Sequence, residues 1–335
     1  MSPPPADLEG KYEIVAKLKE GGMGAIYQVR HRLLDEIRVV KVLRPQHEDD
    51  DELRQRFARE ARAAIRLRHP NIIQIFDFSV DDAGTGLIVM EYIHGADLGH
   101  LIRTAQLPSV PLALEITRQA LLALGFLHKK GFVHRDVSPD NLMLTVDVDG
   151  RPLIKLIDLG IAKDHEAEQS LTTSGSFLGK FRYASPEHFG SRGPDGIEAR
   201  SDLYTLGLVL YELATGVYPM VGDSTSQLIG AHLFEAPRPF EASDPESRVP
   251  PAVRAMILRA LEKDAEDRFP DAEAWIDEIS TMLDRSPLGA TLAAEARSLA
   301  EPPPMDASND VDSTQLRFDR LFGSETLSKA QTDDS

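Results

Sequence analysis

The amino-terminal third of the chain alternates short runs of β-type residues with turn residues, after a polar and proline-rich stretch at 1–10. One longer stretch from Asp51 has apolar residues at helical spacing and interrupts these runs. The runs predict strands at 12–18, 25–29, 38–43, 72–78 and 86–89. We therefore predict a small β-rich lobe with one main helix over 11–93, preceded by a disordered leader over 1–10.

From residue 94 onward the pattern becomes mainly helical, because apolar residues recur at intervals of three and four. The clearest predicted helices span 112–128, 201–215, 253–263 and 271–283. We therefore predict a larger, mainly α lobe over 94–283, which makes the fold class α+β with two lobes. From Glu301 onward the chain holds eight acidic against three basic side chains. We predict that 284–335 is an acidic, mostly disordered tail.

Composition and charge exclude several classes of protein. The 335 residues carry 54 acidic and 37 basic side chains, for a formal net charge of -17. The negative electrostatic field of such a protein repels nucleic acid and anionic lipid. The absence of cysteine excludes disulfides, thiolate nucleophiles and cysteine-based metal sites. We expect no secretory leader and no apolar stretch near the roughly 20 residues of a membrane helix. The expected location is cytoplasmic, unless a further segment of a longer protein follows Ser335.

Three features of the predicted amino-terminal lobe are typical of a polyphosphate site. Gly21, Gly22 and Gly24 lie between two predicted strands, where backbone N–H groups can approach phosphate oxygens, although a simple hairpin turn also explains them. Lys41 lies in a predicted strand and needs an anion if it faces inward. Glu60 lies on the apolar face of the predicted helix and is a candidate partner for Lys41. The alternatives are a surface lysine and a surface pair between Glu60 and an arginine.

Three further stretches, by their order along the chain, decide which protein family the sequence resembles. They are His134-Arg135-Asp136-Val137-Ser138-Pro139-Asp140-Asn141, Asp158-Leu159-Gly160 and Ser185-Pro186-Glu187. With Lys41 and Glu60, they resemble the catalytic loop, the metal-binding loop and the activation-segment end of the eukaryotic-type protein kinase family. The resemblance runs from residue 12 to residue 283. It implies a bilobal protein kinase-like fold that transfers the γ-phosphoryl group of ATP to Ser and Thr hydroxyls of proteins.

Two short stretches narrow the family further. Gly21-Gly22-Met23-Gly24 and His69-Pro70-Asn71-Ile72 are most similar to bacterial serine/threonine kinases. Small-molecule kinases generally lack an ion pair that matches Glu187 and Arg268, so protein substrates are favoured. The resemblance further implies that Asp202 holds the backbone of the catalytic loop.

The resemblance also implies which residues bind the nucleotide. Lys41, anchored by Glu60, would hold the α- and β-phosphates of ATP, and Met90 would lie behind the adenine as the gatekeeper. Backbone groups of Glu91 and Ile93 would bind the edge of the base. The full implied set is Leu18, Gly21, Gly22, Gly24, Ile26, Lys41, Met90, Glu91, Ile93, Asp97 and Asp158.

The implied catalytic and metal-binding residues follow from the same match. Asp136 would accept and orient the acceptor hydroxyl, while Asn141 and Asp158 would hold Mg²⁺, with Mn²⁺ as an alternative ion. Arg135 would receive a phosphate from the activation segment after autophosphorylation. The expected phosphorylation sites are Thr172, Thr173 and Ser174.

Acidic residues along the expected peptide path indicate a preference among protein substrates. Asp97 and Asp140 are the two carboxylates concerned. The resemblance implies a basic residue two or three positions before the acceptor, unless Asp97 serves only the ribose and Asp140 only caps a turn.

Three positions depart from the family pattern, namely Lys19 in the glycine loop, Ser138 in the catalytic loop and Lys180 before the activation-segment end. Each departure is consistent with lost activity. The alternative function is therefore a pseudokinase scaffold that binds nucleotide or partner proteins without efficient transfer. In the family fold, position 180 faces position 138, so we predict that Lys180 supplies the charge missing at Ser138 and is a catalytic residue.

Overall fold

The computed structural model describes the chain as two compact units. The described residues are 11–21, 24–43, 64–80, 86–158, 181–190, 196–284 and 289–301. The first unit comprises described residues up to Arg68 together with Gln74–Tyr92, and the second comprises His69–Ile73 and the described residues from Ile93 onward. The division after Tyr92 lies one residue from the predicted lobe boundary.

The first unit is built on a five-stranded antiparallel sheet with the strand order β1-β2-β3-β5-β4. Its strands are β1 Tyr12–Gly21, β2 Gly24–His31, β3 Glu36–Leu43, β4 Ile75–Val80 and β5 Gly86–Glu91. All five predicted strands are present, although the fourth begins three residues later than predicted. The predicted helix from Asp51 lies outside the described residues except near residue 64.

One face of this sheet forms the core of the first unit because side chains alternate between the two faces of each strand. The buried cluster on that face comprises Tyr12, Ile14, Tyr27, Val29, Val40, Val42, Leu87 and Val89. Lys41 lies between Val40 and Val42, so its side chain leaves the sheet on the opposite face. There it is paired in register with Ile26 of β2 and Ile88 of β5.

The second unit is mainly helical and carries a small antiparallel sheet of order β6-β7-β8. The strands are β6 Ala96–Asp97, β7 Leu142–Val146 and β8 Pro152–Leu156. The helices are α1 Leu98–Arg103, α2 Val110–Lys129, α3 Ala199–Thr215, α4 Thr225–Phe234, α5 Phe240–Ser243, α6 Pro251–Ala260, α7 Ala272–Leu283 and α8 Gly289–Leu299. Short 3-10 turns lie at Pro139–Asn141, Pro186–Phe189 and Ala265–Asp267.

Helix α2 is the central helix of the second unit. The Ser109 hydroxyl caps its first turn by accepting from the Leu112 N–H, and its apolar residues pack against α3, α7 and β8. By length and composition α2 could cross a membrane, contrary to our expectation that no apolar stretch approaches that length. Most of the helix is buried inside the unit. Packing in the core therefore accounts for its apolar composition.

Helix α3 is buried along almost its whole length and ends at Gly216. Gly216 has φ +76°, the left-handed conformation in which the carbonyls of a helix end are satisfied without a side-chain clash. A Cβ at this position would also lie 2.7 Å from Leu107 Cδ1. Both the backbone conformation and the close packing therefore require glycine here.

Helix α8, Gly289–Leu299, lies inside the segment 284–335 that we predicted to be an acidic, mostly disordered tail, and the residues after Glu301 lie outside the described residues. Ala293 and Ala296 are buried, and Ala300 just beyond the helix is buried as well. Glu295 accepts from the Ser109 N–H at 2.5 Å and from the Ser109 hydroxyl at 2.7 Å. The helix carries one acidic and one basic residue, and a small apolar face of it packs against α2 and the β7–β8 hairpin.

Candidate active site

The catalytic loop lies between α2 and β7 and is held by one buried carboxylate. Asp202, near the start of α3, is 1% exposed. Its two oxygens accept from the His134 N–H at 2.8 Å and the Arg135 N–H at 2.9 Å. His128 Nε2 lies 2.7 Å from the same carboxylate. The predicted role of Asp202 in holding the catalytic-loop backbone is thus confirmed.

Arg135 is held in an uncommon backbone conformation immediately before Asp136. Its φ of +63° is in the left-handed region, which costs a residue other than glycine roughly 1–3 kcal/mol. Such a conformation persists only where surrounding contacts determine it, and the Asp202 bond is one of those contacts. The loop is therefore a folded element whose shape depends on α3.

Asp136 and Asn141 form the centre of the candidate site. Asn141 Nδ2 donates to Asp136 Oδ2 at 2.6 Å and to the Asp136 carbonyl at 2.8 Å. These bonds fix the carboxylate and direct the amide oxygen of Asn141 away from Asp136. Amide and carboxylate oxygens are the hard ligands that Mg²⁺ prefers.

The β7–β8 hairpin brings Asp158 to Asn141. Leu142 and Leu156 are paired across the hairpin, and the Ile157 N–H donates to the Asn141 carbonyl at 3.0 Å. Asp158 follows directly, so the two predicted metal ligands flank the same end of the hairpin. In the part of the chain that the structure describes, no group of three or more His, Cys, Asp or Glu side chains is arranged to hold a metal ion. One amide and one carboxylate, on residues at the same end of the hairpin, nevertheless fit a divalent cation that shares its remaining ligands with phosphate and water.

The first unit places several of the predicted nucleotide-binding residues on its sheet. Met90 is paired with Val39, two positions along the strands from the pair of Lys41 and Ile88. The Glu91 N–H donates to the Gln74 carbonyl at 2.9 Å. This backbone bond secures the end of β5, where the predicted adenine-binding stretch begins.

The glycine loop lies at the β1–β2 end of the sheet. Gly21 and Gly24 are paired at the end of the hairpin, and Gly24 has φ +151°, which residues with a side chain rarely adopt. Leu18 is exposed on β1, and Ile26 is partly buried on β2. This geometry agrees both with a phosphate-binding loop and with the simpler hairpin turn.

The ion pair at the activation-segment end is confirmed. Arg268 is fully buried and donates to Glu187 through Nη2 at 2.6 Å and through Nη1 at 3.2 Å. The Ser201 hydroxyl donates to the same carboxylate at 2.8 Å. Burial raises the pKa of Glu187, but the bonds from Arg268, Ser185 and Ser201 outweigh burial, and the pKa lies below its ordinary value.

A second buried carboxylate, which the sequence analysis missed, anchors the segment before this ion pair. Glu212 of α3 accepts from Arg182 Nη2 at 2.7 Å and from the Tyr183 hydroxyl. The Tyr218 hydroxyl donates to the Arg182 carbonyl, and the Arg182 guanidinium lies 4.0 Å from the centre of the Tyr218 ring. The available sequence signal was a single carboxylate within the apolar run 206–214, because a carboxylate buried there requires a partner.

The carboxylates that we expected along the peptide path already share a cation. Arg103 Nη1 lies 2.8 Å from Asp140 Oδ1, and Nη2 lies 3.3 Å from Asp97 Oδ1. Asp97 Oδ1 also accepts from the His100 N–H at 2.7 Å and caps α1. A basic substrate residue at these carboxylates would therefore compete with Arg103.

Several predicted site residues lie outside the described residues, and their predictions stay untested. They are Gly22, Glu60, Thr172, Thr173, Ser174 and Lys180.

Comparisons with known proteins define the class to which this fold and site belong. Residues 12–278 match the family model described as protein kinase domain, so the chain belongs to the protein kinase domain family. The predicted fold class is confirmed, with a β-rich amino-terminal unit and a mainly helical carboxyl-terminal unit.

The chain resembles bacterial members of this family. It is 39% identical to the serine/threonine-protein kinase pkn3 of Myxococcus xanthus, over 81% of this chain and 50% of that protein. It is 36% identical to the serine/threonine-protein kinase PknB of Mycobacterium leprae, over 80% of this chain and 42% of that protein. The crystal structure of the Mycobacterium tuberculosis PknI kinase domain matches with a TM-score of 0.60 and 29% identity, over 81% of this chain and 96% of that domain. The chain thus spans about half, or less, of the length of these curated relatives.

Proposed function

We propose that this chain is a serine/threonine protein kinase that transfers the γ-phosphoryl group of ATP to Ser and Thr hydroxyls of proteins. The observation that carries the proposal is the arrangement of Asp136, Asn141 and Asp158 at one end of the β7–β8 hairpin. Membership of the protein kinase domain family, with relatives named as serine/threonine kinases, supports this reading.

The residues of the second unit have distinct tasks in this reaction. Phosphoryl transfer requires mainly positioning and neutralisation of charge. Asp136, held by Asn141, accepts the hydrogen bond of the acceptor hydroxyl and takes its proton as the new bond forms. Asn141 and Asp158 would hold Mg²⁺, or Mn²⁺ as the alternative, and the bound ion would neutralise charge on the phosphates.

Nucleotide binding is assigned to the first unit and to the residues directly after it. Lys41 would hold the α- and β-phosphates beside the glycine loop of Gly21, Gly22 and Gly24, and Glu60 would anchor Lys41. Met90, Glu91 and Ile93 would bind the adenine.

A pseudokinase scaffold is not favoured. Loss of chemistry in this family would show in the residues that hold the phosphates, the metal or the acceptor. Those residues are all present in the sequence, namely Lys41, Glu60, Asp136, Asn141 and Asp158.

The direct test is a transfer assay with purified protein, labelled ATP and Mg²⁺, with and without a generic basic protein as acceptor. We expect transfer to Ser and Thr that requires the cation, and an acid-stable label on the protein itself. Mass spectrometry of the same sample should find phosphate at Thr172, Thr173 or Ser174, where a new dianion would pair with Arg135. Nucleotide binding without any transfer, under Mg²⁺ and Mn²⁺ alike, would favour the scaffold.

Lys180 offers a prediction about the departures from the family pattern. If its ammonium supplies the charge that is missing at Ser138, Lys180→Ala should lower turnover roughly 10- to 1000-fold with little change in ATP binding. The double variant Ser138→Lys with Lys180→Thr should regain much of the lost rate. The control is Lys130→Ala, which removes a lysine at the end of α2 and should leave turnover unchanged. Full turnover in Lys180→Ala would exclude the relocation of the charge.

A further inference from the structure

His188 connects the activation-segment end to the catalytic loop. It lies in the 3-10 turn Pro186–Phe189, which follows Ser185. On one side of the ring, Nδ1 lies 3.0 Å from the Ser185 nitrogen and 2.8 Å from the Ser185 hydroxyl. On the other side, Nε2 lies 3.4 Å from the carbonyl oxygen of Arg135. The imidazole thus bridges two segments that are 53 residues apart.

The contacts define the tautomer of this histidine. A backbone N–H can only donate, so the Ser185 N–H requires an unprotonated Nδ1. The ring proton is then on Nε2, which donates to the Arg135 carbonyl. Burial lowers the pKa of His188 more than the Arg135 carbonyl, Asp202 and Glu187 raise it. His188 is therefore neutral at neutral pH, as this pattern of bonds requires.

The Arg135 carbonyl belongs to the peptide group that joins Arg135 to Asp136. The N–H of the same peptide group donates to His134 Nδ1 at 3.3 Å. This rigid plane is therefore held at its oxygen by His188 and at its nitrogen by His134. Asp202 holds the preceding Arg135 N–H at 2.9 Å.

Because the backbone of Arg135 is strained, these hydrogen bonds are needed to keep the Arg135–Asp136 peptide group in place. At φ +63° the backbone of Arg135 is strained, and it would return to a more favourable conformation unless surrounding contacts held it. Rotation of the peptide plane would turn the Asp136 backbone and move its carboxylate. The bond to Asn141 holds the side chain of Asp136, and the bond from His188 holds the backbone that carries it.

We propose that His188 is a positioning residue for phosphoryl transfer. It holds the Arg135–Asp136 peptide group and thereby sets the orientation of the Asp136 carboxylate. This inference rests on the proposed kinase function. His188 also belongs to the turn that contains Glu187, and Glu187 is paired with Arg268. Through His188, the position of the activation-segment end therefore determines the position of the catalytic loop.

Two substitutions separate positioning from simple packing. His188→Leu places an apolar side chain of similar reach at this position but removes the contacts to Ser185 and the bond to the Arg135 carbonyl. His188→Gln can still accept from Ser185 through its amide oxygen and donate to the Arg135 carbonyl through its amide nitrogen. We expect kcat to fall about 10- to 100-fold in His188→Leu, because a misplaced catalytic group costs about that much, with KM for ATP unchanged. His188→Gln should recover most of the loss.

A matched control uses a second histidine of the same unit. The His69 ring accepts from the Asn71 N–H at 3.2 Å and stacks on Phe126 with ring centroids 5.1 Å apart. His69→Leu also removes a backbone acceptor and a ring contact, so it should lower the melting temperature without lowering kcat. All variants are made in the full chain, and their melting temperatures and ATP binding are measured together with the rates.

The outcomes are distinguishable. If the wild-type chain transfers no phosphate, the proposed function fails. If the wild type is active and His188→Leu retains its kcat, the positioning role is overturned. It is also overturned if His188→Gln loses as much kcat as His188→Leu, because the hydrogen bonds would then not be the cause. A fall in kcat that the glutamine variant restores supports the inference.

Discussion

Asp136→Asn should lower the rate of phosphoryl transfer by about 10²- to 10⁴-fold while the fold and ATP binding survive. An amide cannot take the proton of the acceptor hydroxyl, so the positioning base is lost. Its oxygen can still accept the bond that Asn141 Nδ2 now makes to Asp136 Oδ2 at 2.6 Å, so the loop geometry should persist. The measurement is a single-turnover rate with ATP and a protein acceptor.

The matched control for this variant is Asp149→Asn. Asp149 is an exposed residue in the turn between β7 and β8, where it pairs loosely with Arg151 at 3.9 Å. The same chemical change there should leave the rate unchanged. If Asp136→Asn retains more than about a hundredth of the wild-type rate, Asp136 is not the group that positions and deprotonates the acceptor.

Arg268→Ala should lower the free energy of unfolding by about 3–5 kcal/mol, because it leaves the partly buried carboxylate of Glu187 without its cation. The loss extends beyond the ion pair. Arg268 also donates to the carbonyls of Arg200, Glu262 and Lys263, which would lose a partner. Urea unfolding followed by circular dichroism gives the free energy directly.

Two further variants show how much of the loss of stability in Arg268→Ala comes from the unpaired charge. Lys129→Ala removes a surface pair with Glu273 in which both side chains are more than two-thirds exposed, and it should change stability by less than about 1 kcal/mol. The double variant Glu187→Gln with Arg268→Met should be more stable than Arg268→Ala alone, because it leaves no unpaired buried charge. Equal stability of Arg268→Ala and Lys129→Ala would show that the buried pair contributes no more than a surface pair.

The same pair gives stability a dependence on pH. The pKa of Glu187 is lower in the folded chain than its ordinary value, so its contribution is complete above the ordinary glutamate pKa. The contribution is lost as the pH falls through the folded-state pKa. Acid unfolding of the wild type should include this loss, and Arg268→Ala should lack it.

Much of the first unit was predictable because its information is local. The alternation of apolar and polar residues in β1, β2, β3 and β5 is set by side chains that point to opposite faces of each strand. The long helices α2, α3, α6 and α7 were predicted for a similar reason, since apolar residues recur in each at intervals of three and four.

The short elements could not be predicted in the same way. Strands β7 and β8 have five residues each, and their assignment depends on pairing with each other. We included helix α8 in a mostly disordered tail because the sequence that follows it is acidic. In the structure, Glu295 accepts a hydrogen bond from the distant Ser109, and Ala296 is buried. Tertiary packing therefore outweighed local composition.

The sequence by itself determined the family and the chemical groups of the candidate site. Asp136 and Asn141 lie within six consecutive residues, and Asp158 follows at a separation that the family match recognises. Side chains that carry out chemistry must be of a particular type, so their identity is readable without a structure.

Only the tertiary structure decided how those groups are held. The His188 bridge joins residues that are 53 positions apart, and the Asp202 carboxylate holds the N–H of the left-handed Arg135, which lies 67 positions away. Glu212 likewise meets Arg182 over 30 positions. Such contacts form only when a compact core brings the segments together, and a buried charge or a strained peptide is stable only with those partners in place.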